Sequence, residues 1–290
     1  MAFDDFSTSL VVTGDVTIFV RYGGEGPPLL LLHGYPQTHM MWRQVADRLS
    51  SRFTIIAPDI RGYGRSTQPP ERDGHAAYAK RLMATDMIAV MQAFGHDSFF
   101  VAGHDRGGRI AYRMALDHPH AVRRLSILDI IPTGEVWSRA DARFALGYWH
   151  WPFLAQPSPL PERLIGSDPE TFFFKEQFPG AASFLDPVGY RDYVECMSNP
   201  AVIRAMCDDY RAGASYDRAL DQHQKGKVRI DVPLQILWGS RGALEQWYDV
   251  LAVWREWGSE VEGQAIEGGH FLAEENPAAT GDALLEFFSR

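Results

Sequence analysis

The sequence predicts an α/β architecture, a mostly parallel doubly wound sheet into which a helical lid is inserted. Three observations carry that expectation. Short continuous apolar runs alternate with longer amphipathic segments, the rhythm of buried parallel strands between covering helices. From about 134 to 226 the rhythm stops, prolines multiply, and Phe144, Tyr148, Trp149, Trp151 and Phe153 crowd together. Beyond that stretch the alternation resumes, so one core is interrupted rather than followed by a second.

Taken in order, runs near 10–12 and 16–22 flank Thr13-Gly14-Asp15 and read as a hairpin. Four consecutive leucines at 29–32 suit a strand buried on both faces. A helix is expected near 41–50, a strand at 53–57, a helix over 76–94 and a strand at 98–102. A further helix reaches about 117, and a strand at 124–129 closes the first half. After the lid come a strand at 232–238, a helix near 246–257, a strand at 261–266 and a closing helix near 278–289.

Composition sets limits. Hydrophobic residues at 46% and charged residues at 22% exclude a disordered chain. The 28 basic and 37 acidic residues leave −9, a field that disfavours nucleic acid and anionic membrane. It does not exclude a small anion held by a local cluster of arginines. Met1 to Phe6 has no basic start or apolar stretch of a secretory signal. No apolar run approaches the roughly 18 residues of a membrane span. The two cysteines, Cys196 and Cys207, are too few for a disulfide framework and are expected reduced. A cytoplasmic protein is the expectation. No phosphate-binding glycine loop and no metal-ligand spacing occurs, so neither cofactor nor metal is expected.

The chemistry concentrates in Gly103-His104-Asp105-Arg106-Gly107. This is the Gly-x-Nuc-x-Gly spacing of a nucleophile elbow, where small residues allow a sharp turn between strand and helix. Here the centre is Asp105, not serine, which makes serine-esterase chemistry the poorer reading. A short apolar run precedes the motif and a helical stretch follows it, the context the elbow requires.

With these residues the chain resembles the α/β-hydrolases that use an aspartate nucleophile. That group holds haloalkane dehalogenases, epoxide hydrolases and haloacetate (fluoroacetate) dehalogenases. His33-Gly34-Tyr35-Pro36, Asp59-Ile60-Arg61-Gly62-Tyr63-Gly64-Arg65-Ser66 and Gly268-Gly269-His270-Phe271 stand in the group's order, and the resemblance covers essentially the whole chain. It implies an α/β-hydrolase fold with core segments 1–133 and 226–290 and a helical cap at 134–225. It also implies a reaction in two steps. The carboxylate displaces a leaving group at an sp3 carbon, and a histidine-activated water then hydrolyses the ester.

His270 is the candidate base, late in the chain, after a strand-like run and between Gly269 and Phe271. The acid that orients it has two candidates. The loop 239–245 lacks aspartate, whereas Asp129 ends the strand-like run that follows the elbow helix, where such sheets gather their sites. Glu245 is the second candidate. The resemblance places the acid of haloacetate dehalogenases at the earlier position, which is that of Asp129.

Arg106 and Arg109, three apart in the first turn of the elbow helix, share one face beside Asp105. Their planar forks suit a carboxylate, so a 2-haloacid anion is the expected substrate. The resemblance assigns His150, Trp151 and Tyr210 to the departing halide, whose release needs converging donors. The backbone N–H groups of Tyr35 and Arg106 are the expected oxyanion donors, and His33 is expected to be structural.

The resemblance therefore implies hydrolytic dehalogenation of short 2-haloacids, with fluoroacetate to glycolate as the sharpest version. Two positions depart from it. Val136 stands near an expected tyrosine, and Trp149 replaces a usual tyrosine, so larger haloacids fit the expectation too. An epoxide hydrolase is the alternative and would use Tyr210 with Tyr148 or Tyr216. A non-catalytic binding module is disfavoured because Asp105, Asp129 and His270 are all present. Members of the group are often homodimers, an assembly the resemblance leaves open.

Overall fold

Leu29 to Leu32 are fully buried in the third strand, and around it the chain builds one eight-stranded sheet. The structure, a computed structural model, describes residues 3–69 and 75–290. Its strands are β1 Ser7–Thr13, β2 Val16–Gly23, β3 Pro28–Leu32, β4 Thr54–Pro58, β5 Phe99–His104, β6 Val122–Leu128, β7 Leu234–Gly239 and β8 Val261–Ile266. They lie in the order β1-β2-β4-β3-β5-β6-β7-β8. The β1–β2 hairpin and the β2–β4 pair are antiparallel, and all later pairings are parallel. Parallel strands require crossovers that cover both faces. Accordingly the residues of β5 are buried throughout, whereas β8 at the edge alternates.

The covering helices of the first half are α1 Arg43–Leu49, α2 Lys80–Ala93 and α3 Asp105–Asp117. Two expected helices begin later than the sequence suggests. The 41–50 segment opens as a 3-10 turn, His39–Trp42, because the Thr38 side chain caps Met40 N–H. The 76–94 segment likewise opens as a 3-10 turn, Ala76–Tyr78, before α2.

Between β6 and β7 the described chain is helical. It forms α4 Thr133–Ser138, α5 Ala142–Gly147, α6 His150–Leu154, α7 Leu160–Ser167, α8 Pro187–Met197, α9 Pro200–Ala212 and α10 Arg218–Gln224. Prolines of this segment start helices. Pro187 and Pro200 occupy first turns behind the capping side chains of Asp186 and Asn199. Two π-helical turns, Thr171–Gln177 and Gly213–Asp217, complete the insertion.

After β7 the expected single helix near 246–257 is a pair, α11 Ala243–Trp247 and α12 Val250–Arg255. The break is local chemistry: the Asp249 side chain accepts from Ala252 N–H and starts a second helix. The chain closes with α13 Leu272–Glu275 and α14 Pro277–Phe288, which packs on α1. Cys196 and Cys207 are unpaired. No helix among the described residues is long and apolar enough to cross a membrane.

Candidate active site

β5 passes directly into α3, so Asp105 stands at a strand end and a helix start at once. Its φ of +46° is rare for a residue with a side chain. Such strain, of order 1–3 kcal/mol, persists only where the surroundings enforce it. Two close approaches enforce it here. A Cβ on Gly34 would stand 2.5 Å from Asp105 Cβ, and one on Gly107 would strike the His33 carbonyl oxygen.

Tyr35 N–H donates to Asp105 Oδ1 at 3.0 Å. Burial opposes ionisation of Asp105, but the charges of His270 and then Arg109 outweigh it and hold the carboxyl below its usual range. The helix start adds to the same preference. His33 is structural: Ile60 N–H donates to its Nε2 at 3.0 Å, which puts the ring proton on Nδ1, facing Gly34 O at 2.9 Å.

Asp129 follows β6 and has φ of +53°; among the described residues only Asp105 shares a positive φ outside glycine. Its Oδ1 accepts from Gly239 N–H at 2.9 Å and its Oδ2 meets His270 Nδ1 at 2.6 Å. The other ring nitrogen, Nε2, lies 4.0 Å from Asp105 Oδ2, too far for a hydrogen bond. Burial depresses the basicity of His270, but the hydrogen bond and charge of Asp129 prevail and raise it above the usual histidine value. Glu245 is not part of this group; it accepts from the Trp238 indole N–H. His104 holds the backbone of His270. Its Nε2–H donates to the His270 carbonyl at 2.8 Å, while burial pushes the ring pKa down to about 3.

The two arginines separate. Asp209 takes Arg106 through Nε at 2.8 Å and Nη2 at 2.7 Å, and Lys80 reaches the same carboxylate. Arg106 Nη1 is left buried without a partner. Arg109 lines the cavity together with Asp105 and His270. Its Nη1 donates to Ile131 O and Thr133 Oγ1, both at 3.1 Å, and its Nε has no partner. Among the described residues it forms no ion pair, and burial followed by the Arg106 charge lowers its pKa.

The helical insertion between β6 and β7 brings His150, Trp151 and Tyr210 to the same cavity. The rings of His150 and Trp151 lie 5.9 Å and 5.8 Å from that of Tyr210. Tyr35 stacks on His150 at 6.1 Å, and the Arg109 guanidinium lies 4.6 Å over Trp151. Burial holds His150 neutral, with a pKa near 3, and keeps the Tyr210 phenol protonated. Among the described residues none of these three polar side-chain tips makes a hydrogen bond to the protein.

The cavity measures about 210 Å³. Sequence reasoning missed Gln177, Phe178, Leu244 and Tyr248 on its wall. Gln177 ends a π-helical turn and accepts from the Tyr35 hydroxyl at 2.6 Å. The i→i+5 bonding of that turn removes the 3.6-residue period by which a helix face is read. Tyr216, the alternative second phenol, is 47% exposed and does not line the cavity. Among the described residues no group of three His, Cys, Asp or Glu side chains is placed to hold a metal ion.

A model of the alpha/beta hydrolase fold matches residues 27–277. The chain belongs to the alpha/beta hydrolase family. This alpha/beta hydrolase is 42% identical to a fluoroacetate dehalogenase from Burkholderia sp, over 99% of its own length and 95% of the relative's. It is 34% identical to a soluble epoxide hydrolase from Corynebacterium sp. (strain C12), over 92% and 91%. The solved structure of an alpha/beta hydrolase from Nostoc sp PCC 7120 superposes with a TM-score of 0.96 at 45% identity, covering 99% of both chains. The protein is a hydrolase.

Proposed function

We propose that this hydrolase removes halide from short 2-haloacids through an ester formed on Asp105. The observation that carries this reading is Arg109, a buried cation on the cavity wall with no carboxylate partner among the described residues. Its charge is opposed only at a distance by Asp105, a buried charge without a bonded counter-ion is costly, and a substrate carboxylate would relieve that cost.

In this reading Arg109 receives the carboxylate, while Arg106 is held by Asp209. An oxygen of Asp105 attacks the α-carbon from behind as the carbon–halogen bond breaks. The halide leaves toward the N–H groups of His150 and Trp151 and the O–H of Tyr210. Water then adds to the ester carbonyl of Asp105, with its oxyanion against the backbone N–H groups of Tyr35 and Arg106. His270 takes the proton from that water, and Asp129 stabilises the imidazolium. A 2-hydroxy acid leaves, glycolate in the case of a haloacetate. The relation to a fluoroacetate dehalogenase supports the same chemistry.

Epoxide hydrolysis is the second reading. Tyr148 and Tyr210 both line the cavity, and burial keeps both phenols protonated, so they could protonate an epoxide oxygen. The Corynebacterium relative supports it. A neutral epoxide gives Arg109 no partner, which is why we rank it second. The test is incubation of the purified protein with fluoroacetate, chloroacetate and an aryl epoxide, measuring halide and diol. Halide release is expected; diol without halide would overturn the first reading.

A further inference from the structure

His270 is held at its ring by Asp129 and at its carbonyl by His104, and a third anchor comes from its own chain. Glu275 ends the short helix α13, five residues beyond the base. Its carboxylate reaches back to the loop that carries His270. Oε2 accepts from Gly269 N–H at 2.6 Å, and Oε1 accepts from Phe271 N–H at 3.0 Å. One carboxylate therefore spans the base and holds the peptide N–H on either side of it. Hydrogen bonds to an ionised acceptor are stronger than neutral ones.

The residues around the base show what this clasp opposes. Gly268 and Gly269 precede His270, and glycine leaves a chain its widest conformational freedom. Position 269 needs glycine, because a Cβ there would stand 3.0 Å from Glu275 Oε1 and 3.2 Å from Oε2. On the other side a Cβ on Gly239 would stand 2.1 Å from the Gly269 carbonyl oxygen. The loop thus runs closely between the end of β7 and the Glu275 carboxylate. Arg241, 61% exposed and 3.7 Å from Oε2, is too exposed to draw that carboxylate away.

We propose that Glu275 is a positioning residue for ester hydrolysis: by bridging the N–H groups of Gly269 and Phe271 it fixes the backbone of His270, and with it the place of Nε2. This rests on the Asp105 ester proposed above, not on the identity of the leaving group. Nε2 lies 4.0 Å from Asp105 Oδ2, and the attacking water must fit between the ring and the ester carbonyl. A drift of the loop leaves alkylation of Asp105 untouched, since that step needs no base, and slows hydrolysis alone. The charge of Glu275 acts in the same place. Asp129, Asp105 and Glu275 all favour the imidazolium, while burial keeps the neighbouring His104 and His150 neutral. Loss of the Glu275 charge therefore lowers the pH at which His270 titrates.

The test compares the full-length wild type, Glu275→Gln and Glu275→Asp with chloroacetate. Stopped-flow chloride release reads alkylation, and the mass of the acid-quenched chain reads the ester on Asp105. Glutamine removes the charge and one of the two acceptors; aspartate keeps the charge but is one methylene shorter. Both variants should alkylate at the wild-type rate and release one chloride per enzyme. Their ester should then hydrolyse roughly tenfold to a hundredfold more slowly, as for a reacting group misplaced by about 1 Å. The low-pH limb of hydrolysis should move down in Glu275→Gln and stay in Glu275→Asp. Hydrolysis at the wild-type rate, or alkylation that falls in step with it, would overturn the proposal. Should neither variant fold, amide exchange in the wild type decides: slow exchange at Gly269 and Phe271 is expected, and exchange as fast as in an open loop would overturn it. If the wild type releases no chloride but forms an ester from styrene oxide, the haloacid reading fails and the same comparison is made on that ester. No ester from either compound would overturn both.

Discussion

His270 Nδ1 and Asp129 Oδ2 meet at 2.6 Å although one follows β8 and the other β6, with β7 between them. The end of β7 takes part, since Gly239 N–H donates to the second Asp129 oxygen at 2.9 Å. The carboxylate therefore holds the imidazole with its proton on Nδ1, leaving Nε2 to face Asp105. Asp129→Asn keeps the shape and removes the charge. We expect kcat to fall by about three to four orders of magnitude, as for such a loss in a serine triad. Alkylation of Asp105 does not require His270, so a burst of one halide per enzyme should precede the stalled state. Stopped-flow halide measurement checks both parts.

The pH dependence has a defined sign. In the free enzyme Asp129 and Asp105 both raise the His270 pKa above its ordinary value, against burial. A base must be neutral to act, so kcat should fall as pH drops through the imidazole titration. In the ester the charge of Asp105 is gone and its raising influence goes with it, leaving those of Asp129 and Glu275. The kcat limb should therefore lie at lower pH than the His270 titration of the free enzyme, followed by NMR. Asp129→Asn should move both downward.

Arg109 is the discriminating residue between the two functional readings. Its replacement by Met keeps an unbranched side chain there and removes the charge. Charged hydrogen bonds contribute about 1.5–3 kcal/mol, so KM for haloacids should rise roughly tenfold to a hundredfold. An unchanged KM would remove the substrate carboxylate from this position.

Glu274 makes a stability prediction. It is buried at the start of α13, where it accepts from the Tyr193 hydroxyl at 2.8 Å and from Gln37. Burial raises its carboxyl from 4.5 to about 8. Between those values the folded chain holds a proton that the unfolded chain releases, so stability falls as pH rises through that window. The loss is on the order of a few kcal/mol. Glu274→Gln removes this titration. The Tm of the wild type should drop relative to the variant between pH 5 and pH 9; parallel curves would contradict the assignment.

Much of this site is legible in the sequence because it follows strand ends. Asp105 and Asp129 each sit just beyond a strand whose apolar run announces it, His270 follows the alternating edge strand β8, and the order of those strands brings them together. The arginine pair was legible in spacing but not in outcome. Helical periodicity puts Arg106 and Arg109 on one face, yet Asp209 lies far away in sequence and takes Arg106. Gln177 escaped because a π-helical turn has no 3.6-residue face, and the α11–α12 break because one capping aspartate outweighed a continuous apolar pattern. Side-chain competition across the fold, rather than local propensity, decided these cases.

The central claim is that Asp105 becomes covalently bound to the acid. It is tested by a single turnover in ¹⁸O-water, with enzyme in excess over a chlorinated 2-haloacid. The account predicts chloride release, a hydroxy acid without label, and one labelled oxygen on the peptide containing Asp105. Label in the hydroxy acid of that first turnover, with none on Asp105, would contradict it.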